Sequence, residues 1–216
     1  MQGDFADKGT VYFSFTIMTN KFIYKLVAYD QEKSNACTVY ACVHISNAQN
    51  MVEYGDTYKQ VDPWSVYKKM IIKNVSLTKG VPLKDIIEYM KTQKVILWAL
   101  KISNKEQLKK AIDLNCGILF YVKGINLKKT GELKVYNNDP CQYWVMKRSE
   151  YVHAMAILGY DEKGMHCINS RGPGRGDRWR FLIPWENFDV ICDPWAIVDK
   201  DGKNNFISIG KQIANV

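Results

Sequence analysis

The chain is predicted to fold as one α+β domain over residues 1–216. A helical lobe would span about 31–115, and a β-rich lobe about 116–199, joined by an N-terminal strand segment. Three observations predict this. Helical periodicity with capping signals recurs between Cys37 and Gly117. After Gly117 the texture changes to short apolar runs separated by turn residues. No internal repeat or low-complexity linker divides the chain, and its 216 residues, 47% hydrophobic and 12% aromatic, suffice for one well-filled core.

The N-terminal elements are extended. Residues 11–18, rich in β-branched and aromatic side chains, read as a strand, and residues 22–28 as a second extended segment entering a polar turn that ends at Cys37. From Cys37 a helix is expected to about Glu53, with Val39, Tyr40, Val43 and Met51 apolar and Gly55 as the stop. Asp62-Pro63, a capping residue followed by proline at the first helical position, announces a second helix with Val66, Met70 and Ile71 inside. Gly80-Val81-Pro82 precedes a third, whose Leu83, Ile86, Ile87 and Met90 share one face.

Residues 95–100 read as a buried strand. Ser103-x-x-Glu106 is a capping box for a fourth helix that carries Leu108, Ala111 and Ile112 and ends at Gly117. Strands follow over 118–122, 133–136, 153–160, 165–170, 181–183 and 190–198. Asp161-Glu162-Lys163-Gly164 turns the hairpin between the third and fourth of these. The polar tail after Asp199 is expected to pack loosely.

Composition narrows the function classes. A net charge of +8 and a pI of about 9.1 favour anionic surroundings. The lysines are dispersed, however, and no ladder of aromatic and basic residues forms a nucleic-acid groove, so no nucleic-acid partner is expected. The six cysteines contain no C-x-x-C pair, and His44, His153 and His166 make no zinc pattern with them, so no metal or other cofactor is expected. Mostly reduced, buried thiols are the expectation, although sequence leaves a bridge open. No signal peptide or membrane span is recognised. The expected location is the cytoplasm, or a virion or host cell if the lysine-, asparagine- and tyrosine-rich composition reflects a viral source.

One constellation carries chemistry. A cysteine at a helix N-terminus meets unsatisfied N–H groups and the positive end of the helix dipole, both of which favour thiolate. Cys37 holds that position. A thiol nucleophile also needs a base and a group that fixes the base's tautomer. His44 lies seven residues along the same helix, roughly 10 Å away at 1.5 Å per residue, which is too far. His166 sits beside Cys167 on an apolar strand and reads as structural. His153 remains, at a strand start, and antiparallel pairing across the hairpin brings Asn169 back to it.

Together these residues resemble the papain-like cysteine peptidases, in four patches taken in order. Asp30-Gln31 followed by Cys37-Thr38 is similar to that family's oxyanion glutamine and nucleophile, in the form of its bacterial and viral members. Gly80-Val81-Pro82 with the helix after it resembles the segment whose glycine binds substrate backbone. His153-Ala154-Met155-Ala156-Ile157-Leu158-Gly159-Tyr160 resembles the histidine strand, and Ile168-Asn169-Ser170-Arg171-Gly172 the Asn-Ser-Trp-Gly motif.

The resemblance implies a papain-like two-lobed fold, helical lobe then barrel-like β lobe, with the active site in the cleft. It implies a cysteine endopeptidase acting on protein or peptide through a Cys37–His153 pair, Asn169 orienting the base, Gln31 holding the oxyanion and Gly80 binding substrate. The chain departs from the family at Ser34, where a disulfide cysteine is usual, at Lys79, and at Arg171 and Arg175, where tryptophans shield the histidine. Trp179 and Trp185 are candidate replacements for that shield. With fewer than 40 residues before Cys37, a long inhibitory prosegment is not expected. A catalytically idle papain-like module that binds a protein, such as a viral particle component, stands as the rival. A compact cysteine–histidine amidase fits less well, because its cysteine-to-histidine spacing is shorter.

Overall fold

The structure is a computed structural model that describes residues 29, 31, 34–72, 81–123, 126–129, 134–136, 139–147, 152–170, 180–199 and 206–216. Its centre is α1 (Cys37–Tyr54), with every residue from Thr38 to Gln49 buried. A helix buried on all sides, with Thr38, His44, Ser46, Asn47 and Gln49 among its buried residues, must be covered on all sides. Here α2 (Pro63–Ile72) and α3 (Leu83–Thr92) flank it, and a sheet lies beneath.

That sheet has nine strands: β1 (Ile96–Lys101), β2 (Gly117–Lys123), β3 (Asn126–Lys129), β4 (Lys134–Tyr136), β5 (Asp139–Lys147), β6 (Val152–Tyr160), β7 (Gly164–Ile168), β8 (Arg180–Pro184) and β9 (Ile191–Asp199). The order is β1-β9-β2-β6-β7-β8-β5-β3, with β4 also on β5. All pairs are antiparallel except β5 with β8.

The barrel-like closure expected of the β lobe is not found: among the described residues the pairing path is open, from β1 at one end to β3 at the other. The period-2 alternation of the strands explains why. Leu119, Ala154 and Ala156 pack into one core with α1, α2 and α3. Ile118, Phe120, Val122, Met155 and Ile157 pack into a second with α4 (Lys105–Asp113) and α5 (Phe206–Ala214). A barrel fills its inside with its own side chains. A sheet with helices on both faces has no need to close. The strand β1 and helix α4, both placed by sequence in the helical half, are integral to this sheet assembly.

Local signals were obeyed where they are chemical. Asp62 caps α2 by accepting from the amides of Trp64 and Ser65 at 3.1 and 3.0 Å. Gly55, at φ +57°, closes α1 with its N–H on the Met51 carbonyl. The expected Ser103 capping box is displaced by one residue. Asn104 Oδ1 accepts from Gln107 N at 2.7 Å, and Gln107 Oε1 accepts from Ser103 N at 2.9 Å.

The helix α4 does not end at Gly117 either. Asn115, at φ +70°, takes the left-handed position, Cys116 N bonds the Ala111 carbonyl at 2.9 Å, and Gly117 opens β2. Gly117 serves another purpose: a Cβ there would lie 2.5 Å from Ile45 Cγ2, so its absence lets α1 settle onto the sheet. The tail expected to pack loosely contains α5, whose Ile209 and Ile213 are buried against the second core. The strands expected over 11–18 and 22–28 lie outside the described residues, as do the Arg171–Arg178 stretch and Trp179. No helix among the described residues is long and apolar enough to cross a membrane.

Candidate active site

Cys37 is the first residue of α1, preceded by Ala36, which offers no side-chain cap, and no acidic residue stands in the first turn. The positive helix terminus therefore faces the thiol without competition. Burial pushes the thiol's pKa up. A hydrogen bond from His153, the charge of that imidazole, the Ala154 amide and the Thr38 hydroxyl pull it down, and the net shift is downward. By contrast, Cys42 on the same helix and Cys116 after α4 meet only burial, which pushes both up to about 12. Five cysteines among the described residues are free thiols, and Cys42, Cys116 and Cys167 are buried.

His153 is near the start of β6, opposite Val122 of β2. The β6–β7 register pairs Ala156 with Ile168, so the next step places Asn169 opposite Met155, diagonal to His153. The two side chains meet: His153 Nε2 and Asn169 Oδ1 are 2.8 Å apart, both buried. An amide oxygen only accepts, so Nε2 carries the proton and Nδ1 is the ring nitrogen left for Cys37. The hairpin expected from Asp161 to Gly164 sets this register: Asp161 Oδ1 accepts from the Lys163 and Gly164 amides at 2.8 and 3.0 Å.

Gln31 is buried and held from both ends of its amide. Its Nε2 donates to the Ser34 carbonyl at 2.9 Å, and its Oε1 accepts a short hydrogen bond from the Ser170 hydroxyl. Its backbone N–H donates to the Ser170 carbonyl at 2.7 Å, and Ser34 Oγ donates to the Gln31 carbonyl at 2.6 Å. Ser34 thus ties this turn with hydrogen bonds at the position where a disulfide was the family expectation. A primary amide has two N–H groups, so one remains for a ligand after Ser34 is served. Ser170, which follows Asn169, belongs to the site although sequence gave it no separate role. Thr38, Tyr67 and Tyr121 also border Cys37, whose charge disfavours ionisation of both phenols after burial has done so first.

The other candidates lie elsewhere. His44 is fully buried, accepts from Tyr29 N at 3.2 Å, stacks on the Tyr29 ring, and is pulled down to about 3 by burial. His166 pairs with Asp161 at 3.0 Å at the hairpin turn. Trp185 packs edge-on against Tyr160 and donates to the Asp161 carbonyl at 2.8 Å. That is the opposite end of β6 from His153, so Trp185 does not shield the histidine. Gly80 lies outside the described residues.

The chain is similar to xylellain, a cysteine protease from Xylella fastidiosa, at 16% identity and a TM-score of 0.58, over 80% of this chain and 82% of that one. It is also similar to the bromelain protease from Ananas comosus, whose structure is a complex with the E64 inhibitor, at 12% identity and a TM-score of 0.57, over 80% and 93% of the two chains. The fold is that of the papain-like cysteine peptidases. No protein-family model and no curated protein sequence matches the chain.

Proposed function

We propose that the chain is a cysteine endopeptidase. The observation that carries this reading is the half-buried thiol of Cys37, lowered in pKa by a histidine whose other nitrogen is fixed by Asn169. The mechanism follows from those contacts. His153 takes the thiol proton, and the thiolate attacks a peptide carbonyl to form a tetrahedral intermediate. The backbone N–H of Cys37 and the free N–H of the Gln31 amide stabilise its oxyanion, at ~3 kcal/mol per donor. The intermediate collapses as His153 gives its proton to the leaving amine, and an acyl-enzyme remains. His153 then takes a proton from water, the hydroxide adds to the thioester, and the second collapse returns the thiolate. Asn169 holds the imidazole in plane throughout, and Gly80, by the family resemblance, binds substrate backbone. The substrate is a protein or peptide, as the names of the two similar structures suggest, and the scheme requires no cofactor.

The test is the rate of iodoacetamide alkylation from pH 4 to 9 for the wild type, Cys37→Ser and His153→Ala. We expect a fast reaction that persists to pH 5, vanishes in Cys37→Ser, and shifts toward the ordinary thiol range near pH ~8.5 in His153→Ala. A single wild-type titration near pH ~8.5, indifferent to His153, would overturn the peptidase reading and leave a papain-like binding module.

A further inference from the structure

Beside the nucleophile, two hydroxyls make hydrogen bonds to residues 81–83 that the mechanism above does not use. Leu83 N, the first amide of α3, donates to Tyr121 Oη at 2.7 Å. Thr38 Oγ1 donates to the Val81 carbonyl at 2.6 Å. Tyr121 thus holds the segment by the Leu83 N–H and Thr38 by the Val81 carbonyl, one on each side of Pro82.

The groups come from three separate elements. Thr38 follows Cys37 in α1, Tyr121 stands on β2 opposite Ala154, and Val81 and Leu83 flank Pro82 at the start of α3. Pro82 is the N-cap of α3 and supplies no side-chain cap, so the orphan Leu83 amide is satisfied from β2 instead. Thr38, Val81 and Leu83 are buried, which makes an unmade bond here costly. Val81 and Leu83 pack in the same core as α1, and the two hydroxyls add the directional bonds that set the segment's register.

We propose that Tyr121 and Thr38 are positioning residues that hold segment 81–83, and with it the substrate-binding edge that follows Gly80, in register with the Cys37 thiol. The proposal rests on the peptidase reading and deepens it. Removing the Tyr121 hydroxyl loosens the edge while leaving the groups that lower the Cys37 pKa in place, so recognition of substrate backbone is lost while the nucleophile survives.

The experiment compares two alkylating agents on one protein. Iodoacetamide reads the thiolate alone, whereas a peptidyl chloromethyl ketone also needs the substrate edge. The ratio of their second-order rate constants is the advantage conferred by peptide recognition, and it is independent of the thiolate fraction. In Tyr121→Phe, which keeps the ring, we expect that ratio to fall about tenfold, the effect of losing roughly one hydrogen bond. Thr38→Val frees the same segment at the Val81 carbonyl and also removes a hydroxyl that lowers the Cys37 pKa, so it is read through the ratio alone, which should fall likewise. A ratio in Tyr121→Phe within twofold of the wild type would overturn the positioning role and leave the peptidase reading intact. Equal slowing of both reagents would also overturn it, because the tyrosine would then support the thiol rather than the edge. A wild type with no peptidyl advantage would defeat the peptidase reading itself, and the positioning role with it.

Discussion

Replacing Asn169 with alanine tests the orientation of the base most directly. Asn169 is 2% exposed and His153 4%, and the bond between them is 2.8 Å long. Alanine removes the acceptor and leaves the Nε2–H group of a buried imidazole without it. Such a loss costs about 1–3 kcal/mol. Expressed as a loss of the correctly oriented ring, that is a factor of about 5 to 150, at roughly 1.4 kcal/mol per tenfold. In steady-state hydrolysis of a fluorogenic peptide, kcat should fall by that factor while KM changes little, because Asn169 touches the base and not the substrate. The low-pH arm of iodoacetamide alkylation should weaken in parallel, since a mobile ring stabilises the thiolate less. Thermal unfolding should fall by a few degrees, at ~2–4 °C per kcal/mol for a chain of this size. A variant with kcat within twofold of the parent and an undiminished low-pH alkylation rate would refute the orienting role.

Other consequences are equally concrete. Gln31→Ala should lower kcat by about 100-fold, the usual effect of one oxyanion donor, yet leave iodoacetamide alkylation unchanged because that reaction develops no oxyanion; loss of both together would point to a disturbed fold instead. Ser170→Ala should cost less than Gln31→Ala, since the Ser34 carbonyl still holds the Gln31 amide, and an equal loss would contradict the two-ended grip. Gly117→Ala should destabilise by about 1–3 kcal/mol in urea unfolding, because its Cβ meets the stiff, β-branched Ile45 on a buried helix; a neutral result would show that α1 can shift. His44, whose folded pKa of about 3 lies below the ordinary 6.5, disfavours the protonated form in the folded state. The unfolded chain therefore binds more protons between those values, so stability is full above pH ~6.5 and falls by up to ~1.4 kcal/mol per unit below it. His44→Gln should flatten that slope between pH 6.5 and 5, above the range where the depressed carboxylates of Asp161 and Asp193 contribute; an identical slope in both proteins would refute it.

How much of this was legible in sequence follows the range of each interaction. The Asp62 cap, the Gly55 stop and the Asp161 turn are decided within a few residues, and each was readable. Asn104 took the cap that Ser103 was expected to provide, because two adjacent polar residues compete for one helix start and sequence does not rank them. The helix α5 left a trace in Ile209 and Ile213, four residues apart, but a polar stretch before it hid the pattern. The open sheet was not legible, since closure depends on whether distant helices cover both faces. The same holds within the site. His153 and Asn169 are 16 residues apart on one hairpin, and their meeting follows from pairing. Tyr121 reaches Leu83 across 38 residues and Thr38 reaches Val81 across 43, between elements whose packing no local signal encodes.

The contrast between two thiols on one helix shows what the fold contributes beyond residue type. Cys37 and Cys42 are separated by about 7.5 Å of helix at 1.5 Å per residue, yet one is lowered in pKa and the other raised to about 12. The difference is that the start of α1 meets the start of β6, and only Cys37 stands at that junction. The helix must therefore be held along its axis as well as against the sheet. Gln49 Nε2 donates to the carbonyls of Asn115 and Ile197 at 2.8 and 2.7 Å, anchoring the helix three turns from the thiol to the loop before β2 and to β9. Gly117, beside that loop, admits Ile45. A slip of one residue along α1 would carry Cys37 about 1.5 Å along the axis and turn it by about 100°, enough to break its bond to His153. Reactivity at Cys37 thus depends on packing at Gln49 and Gly117, and substitutions there should weaken the thiolate without touching it.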